Sequence, residues 1–187
     1  MTPEADWHDP GGLGAREEAR CAGAGEGAPA AGPNVSVIGA SSCGPEVTQM
    51  GEDLGALLAE RGCTVFCGGM SGVMEAVARG VRRGGGVCVG ILPALDRRHA
   101  APDLTLSVCT GIGHGRNLAV VASGDVVIAL GGAWGTLSEI GMARAIGRQV
   151  VVLRSWKVRP DEGEVDGLHV AHSVTEAVEL ALSLATK

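Results

Sequence analysis

From Asn34 onward, apolar and polar positions follow a repeating order. A short unbroken apolar run gives way to a glycine- or serine-rich turn, and then to a longer stretch with apolar residues every third or fourth position. Short apolar runs bounded by turn residues suit buried strands, and the longer period suits helices packed on them. The pattern predicts strands at Val35–Ala40, Cys63–Cys67, Val87–Leu92, Leu104–Cys109, Asp125–Leu130 and Gln149–Leu153. It predicts helices over Pro45–Arg61, from Gly72 to about Arg83, over Gly113–Ser123, and from the Gly131 turn to near Gly147. Pro45 suits a first helical turn, and Gly62 and Gly84–Gly86 are helix stops. Residues 155–172 show no period. Val174–Ala185 closes the chain as an amphipathic helix with Ser173 as its N-cap.

Strand–helix alternation with short turns implies an α/β fold, doubly wound, with a mainly parallel sheet covered by helices on both faces. In such sheets the turns leaving the carboxyl ends of the strands converge, and ligands gather where the strand order reverses. The glycine-rich turns of this chain all follow predicted strands. They are therefore expected to meet along one edge.

Residues 1–33 lack any period and are rich in Gly, Ala, Pro and Glu. They are expected to form a mobile acidic tail before a single domain over 34–187. The fragment Gly11-Gly12-Leu13-Gly14 follows no strand, so it carries no weight as a nucleotide loop.

Composition narrows the function classes. The chain has 187 residues, 45% of them apolar but only 2% aromatic. That balance suits a Val, Leu, Ile and Ala core beneath helices. The net charge is −6, of which the first 33 residues carry −4 (six acids against two arginines), leaving −2 for the rest. A basic stripe and aromatic stacking platforms are both missing, so no nucleic-acid polymer is expected as a partner. The apolar runs are too short to span a bilayer, and the polar start does not read as a secretory signal. The expectation is a cytoplasmic protein without membrane partners. The six cysteines lack a partnered zinc spacing, so no metal is expected, and most are read as small buried hydrophobes.

Four turns carry candidate chemistry. The strongest is Gly131-Gly132-Ala133-Trp134-Gly135-Thr136-Leu137-Ser138-Glu139. Its glycines permit close backbone approach, its free first-turn amides attract an anion, and Glu139 follows about one turn into the helix. Gly131, Gly132, Gly135 and Thr136 are the phosphate-binding candidates here, while Trp134 either stacks on a ring or, the favoured reading, packs in the core. In Gly113-His114-Gly115-Arg116-Asn117 an arginine occupies a helix's first turn, where the dipole disfavours a cation. Arg116 is therefore expected to serve an anion, with Asn117 beside it, while His114 is a spacer. Gly39, Ser41 and Ser42 in the first turn, and Gly68, Gly69 and Gly72 in the second, complete the candidate ligand contacts. Ligand specificity is expected from the loop Ala94–Asp103, which holds Arg97 and Arg98. P-loop, dinucleotide and serine-hydrolase motifs are absent.

These residues make the chain resemble the LOG family, Rossmann-type proteins once labelled lysine-decarboxylase-like. Its hallmark Pro-Gly-Gly-x-Gly-Thr-x-x-Glu is matched by Gly131–Glu139, and its Met-His-x-Arg-Lys segment by Gly113–Asn117. The proline, one glycine and the lysine are replaced. Gly72-Val73-Met74-Glu75-Ala76, Gly90-Ile91-Leu92-Pro93 and Gly135-Thr136-Leu137-Ser138-Glu139 are similar to a sister branch that includes molybdenum cofactor carrier proteins. The resemblance implies a Rossmann-like fold, a homodimer or homotetramer, and a small phosphate-bearing ligand. It implies two functions. One is a binding protein that holds molybdenum cofactor or a nucleotide without turnover, with no cofactor expected to be required. The other is a phosphoribohydrolase releasing free base from nucleoside 5′-monophosphates, with Arg116 and Glu139 catalytic.

Overall fold

The computed structural model describes residues 32–158 and 166–185. The predicted tail, apart from its last two residues, and the Gly11–Gly14 fragment lie outside the described residues. Seven strands and five helices follow in order: β1 Asn34–Gly39, α1 Pro45–Glu60, β2 Thr64–Cys67, α2 Val73–Arg83, β3 Val87–Leu92, β4 Leu106–Cys109, α3 Arg116–Ser123, β5 Val126–Leu130, α4 Trp134–Ala145, β6 Gln149–Leu153, β7 Leu168–Ala171 and α5 Val174–Ala185.

The strands form one sheet in the order β4-β3-β2-β1-β5-β6-β7, and every pairing is parallel. The chain winds outward from β1 to β4, crosses back, and winds outward again from β5 to β7. This is the Rossmann-like doubly wound arrangement, and the order reverses between β1 and β5. The central strands β1 and β5 are largely apolar because both their faces are covered, and the buried Ser36 of β1 donates its Oγ–H to the Val120 carbonyl at 2.6 Å. Along β5, Ile128 and Leu130 enter a core formed with Leu54 and Leu58 of α1, Val77 and Val81 of α2, and Val178 of α5. Val127 and Ala129 enter the opposite core with Val120 and Val121 of α3 and Ile140 and Ala143 of α4. Burying a Val, Leu or Ile side chain fully is worth about 1.5–3 kcal/mol, so these two layers dominate the fold's stability.

Two expectations are corrected. Residues 168–171 are not irregular: Leu-His-Val-Ala pairs with β6 as an edge strand, entered through Gly167 at φ 68°. Four residues show too little alternation to register as a period. The segment expected to be helical from Gly113 instead makes a 3₁₀ turn over Gly113–Gly115, and the α-helix starts at Arg116. Ser173 does cap α5: its Oγ accepts from Glu176 N–H at 3.1 Å, and Glu176 accepts from His172 N–H at 2.7 Å.

The turns after β1 and β2 are tied together at their carboxyl ends. Val73 N–H donates to Ala40 carbonyl at 3.0 Å, and Ser71 Oγ donates to the Ser41 carbonyl at 2.9 Å. Gly72 makes this join possible. It sits at φ 70°, and a β-carbon there would meet the Ala40 and Ser41 backbone.

Candidate active or ligand-binding site

Gly39 and Leu130 are register partners at the ends of β1 and β5. Beyond them, at the reversal point, lies a cavity of about 270 Å³. It draws on four segments. Gly39, Ala40 and Ser41 come from the first turn, Gly68, Met70 and Met74 from the second, and His114, Arg116 and Asn117 from the start of α3. Ala133, Gly135, Thr136 and Glu139 come from α4. Ile38 of β1 forms part of the wall.

Arg116 is 8% exposed, and its Nε and Nη1 have no hydrogen-bond partner among the described residues. Burial lowers its pKa from the ordinary arginine value, and the nearby Glu139 charge offsets part of that effect. Unpaired buried guanidinium nitrogens are costly, since desolvation is not repaid by any bond. Its first-turn position also sets it against the α3 dipole. The guanidinium lies against Gly68, where a β-carbon would stand within 2.7 Å of both Arg116 Nη atoms and 2.5 Å from the Met74 sulfur.

Glu139 is 7% exposed, and burial pushes its carboxyl up to about 7, with Arg116 pulling the other way. The pair interact electrostatically without a salt bridge. Glu139 lies four residues after Gly135, so both share one face of α4. A β-carbon added at Gly135 would meet nothing within 4 Å, because that position opens onto the cavity. The first turn of α4 has no side-chain cap on its amides. Thr136 turns its Oγ1 back to accept from Ala133 N–H at 3.4 Å, which steadies the helix entry. This arrangement places first-turn amide hydrogens, a cation and a carboxyl with a pKa of about 7 around one cavity.

Of the residues singled out from sequence, Gly39, Ser41, Gly68, Arg116, Asn117, Gly135, Thr136 and Glu139 share the cavity. Ser42 and Gly72 line an adjacent open recess with Cys43, Thr48, Glu75 and Arg79. Gly69 packs against Gly90 and Leu92. Gly131, at φ 64°, and Gly132, pressed on Trp156, shape the turn outside the cavity wall. Trp134 is not core: it is 76% exposed and stacks on Trp156 with ring centroids 5.0 Å apart. Arg98 is held by Asp96 at 2.8 and 3.0 Å, and neither it nor Arg97 lines the cavity. Met70, Met74 and His114 were missed as cavity residues. Met74 was legible in retrospect, because it enters α2 just after a glycine turn, as Thr136 enters α4.

Cys63, Cys67 and Cys88 are buried as expected, with the Cys67 and Cys88 sulfurs 3.9 Å apart. Cys43 is half-buried beside Thr48.

The SLOG cluster4 family model matches residues 32–179, and the chain belongs to that family. It thus falls within the LOG-like Rossmann superfamily, near the molybdenum cofactor carrier branch. An uncharacterized protein of Archaeoglobus fulgidus is 36% identical over 154 residues, covering 82% of this chain and 97% of that protein. A probable cytokinin riboside 5′-monophosphate phosphoribohydrolase of Oryza sativa subsp. japonica is 39% identical over 90 residues, covering 46% of this chain and 37% of that protein. Among solved structures, the molybdenum cofactor binding protein of Rippkaea orientalis superposes with TM-score 0.74 at 28% identity, covering 82% and 97% of the two chains. The molybdenum cofactor carrier protein of Chlamydomonas reinhardtii gives 0.73 at 27%, covering 83% and 99%.

Proposed function

We propose that this protein binds a small phosphate-bearing ligand, held by the uncapped amides of α4 and by Arg116. The observation that carries this reading is the buried Arg116, whose Nε and Nη1 lack partners while its side chain lines a cavity beside a bare helix N-terminus. A ligand anion would repay both deficits at once. The similarity to two molybdenum cofactor proteins along nearly their whole length supports that cofactor as the cargo. A nucleotide is the other ligand of matching chemistry.

A second reading has its own support in Glu139. A carboxyl pushed up to about 7 is poised for proton transfer at neutral pH, and the rice relative is a probable phosphoribohydrolase. In that reaction the bond from ribose C1′ to the base nitrogen breaks, and a water oxygen joins C1′. One of that water's protons ends on the base. Glu139 would take the proton from water, and Arg116 would hold the phosphate. Incubation with AMP, GMP, CMP and UMP decides between the two. Saturable molybdenum cofactor binding without base release supports the carrier reading. Base release that disappears in Glu139→Gln supports the hydrolase.

The same reading includes a homodimer or larger assembly. Val87, Leu106 and Val108 lie on β3 and β4, toward the edge of the sheet face that packs against α3 and α4. Those three side chains are 40%, 60% and 50% exposed, and Ile112 and Leu118 nearby are 60% and 48% exposed. A second copy of the chain is the occupant proposed for that apolar face. Among the described residues no helix is long and apolar enough to cross a membrane.

A further inference from the structure

Apart from the 3.4 Å bond that Thr136 Oγ1 accepts from Ala133 N–H, the turn that opens α4 has little of its own to hold it. Its N-cap is Ala133, which offers no side-chain bond, and Gly131 and Gly132 bring no side chains to pack. Support comes instead from the segment after β6. Leu153 carbonyl accepts from Gly131 N–H at 3.1 Å. Three residues further on, Trp156 Nε1–H donates to the Ala133 carbonyl at 3.0 Å. That carbonyl also accepts the first bond of the helix, from Leu137 N–H at 3.1 Å. The backbone of Gly132 lies directly on the indole, where a β-carbon would stand 2.8 Å from Cδ1 and 2.9 Å from Nε1. Trp134 leans on the same ring from the helix side, the two planes inclined by 39°. Two of the chain's three tryptophans are therefore spent on one turn, in a protein almost without aromatics.

We infer that Trp156 is a positioning residue for the anion-binding turn. Its N–H and its ring hold Ala133 and Gly132 so that the first turn of α4 keeps its uncapped amides at the cavity wall. The inference rests on the proposed anion-binding function for its consequence, but not for its geometry. A bond from a neutral donor to one carbonyl is modest in net terms, yet here it fixes the residue from which the helix starts. Substituting phenylalanine keeps the ring and removes the N–H, which separates positioning from simple packing.

The test uses the full chain, labelled with ¹⁵N, as wild type and as Trp156→Phe. Two quantities are read: amide exchange at Leu137 without ligand, and the response of the Gly135 and Thr136 amides to inorganic phosphate. In Trp156→Phe, Leu137 is expected to exchange faster while Ile140 and the melting temperature stay unchanged. Phosphate affinity is expected to fall by about three- to tenfold, the range of one lost hydrogen bond. Leu137 exchange equal to wild type overturns the inference, whatever phosphate does. Should wild type show no phosphate response, the anion-binding function fails, and Leu137 exchange alone still decides the positioning role. Gly132→Ala provides the second variant. It keeps the indole but pushes it from the turn, and it must accelerate Leu137 exchange in the same way; unchanged exchange there also overturns the inference.

Discussion

The guanidinium of Arg116 lies against the α-carbon of Gly68, so close that a β-carbon there would stand 2.7 Å from Nη2 and nearer still to Nη1. β2 is thus followed by a residue without a side chain where an arginine from α3 needs the room. Gly68→Ala is expected to push Arg116 out of its seat and weaken anion binding by about tenfold, the loss of one charge-assisted bond. Calorimetric titration with a nucleoside monophosphate checks this. Equal affinity would mean that Arg116 does not hold the ligand.

Gly135 presents the opposite case. A side chain at this position meets no protein atom but occupies the cavity. Gly135→Val should leave thermal stability unchanged or slightly raised, because glycine is a poor helix former. Ligand binding should nevertheless be abolished. Loss of both stability and binding would show that the position is structural.

Glu139 makes stability fall as pH rises through a defined window. Its folded pKa, about 7, lies above the unsupported value of 4.5. Below 4.5 both states hold the proton, and burial of the carboxyl costs nothing extra. Between 4.5 and 7 the unfolded chain has released its proton while the folded chain keeps it, so stability declines. Above 7 the full penalty of about 3 kcal/mol is present. Glu139→Gln should remove this slope and be the more stable protein at pH 8. Urea denaturation of both proteins at pH 5 and pH 8 measures the difference. Parallel pH dependence would refute the assignment.

The exposed apolar side chains of β3 and β4 give a test of assembly. Leu106→Glu with Val108→Glu places two charges on side chains that are 60% and 50% exposed, so the isolated fold should tolerate them. Sedimentation is expected to show dimers or larger species for wild type and monomers for the double variant. A monomeric wild type at micromolar concentration would contradict the proposed assembly.

Much of this molecule could be read from its residues. Val126–Leu130 is an unbroken apolar run, and it is the interior strand β5, buried on both faces. Arg116 stood out because a helix start disfavours a cation, and it proves to be buried at the cavity. What escaped was non-local. Trp134 looked like core because tryptophan is large and apolar, but its neighbour is Trp156, 22 residues away, and both sit near the surface. Strand β7 escaped because four residues have almost no period; its partner β6, not its own pattern, makes it a strand. His114 and Met70 reach the cavity through turn geometry that no spacing rule encodes. Arg98 stands in the loop expected to set ligand specificity, yet its guanidinium pairs with Asp96 two residues earlier.

The most direct measurement is the ¹H–¹⁵N signal of the Arg116 Nε–H and of the Gly135 amide during titration with 5′-AMP. If Arg116 and the α4 N-terminus together hold the phosphate, both signals move and saturate at one common affinity, and Arg116→Met abolishes the response at Gly135. Signals that stay in place at millimolar AMP, or a Gly135 response that survives in Arg116→Met, would contradict the account.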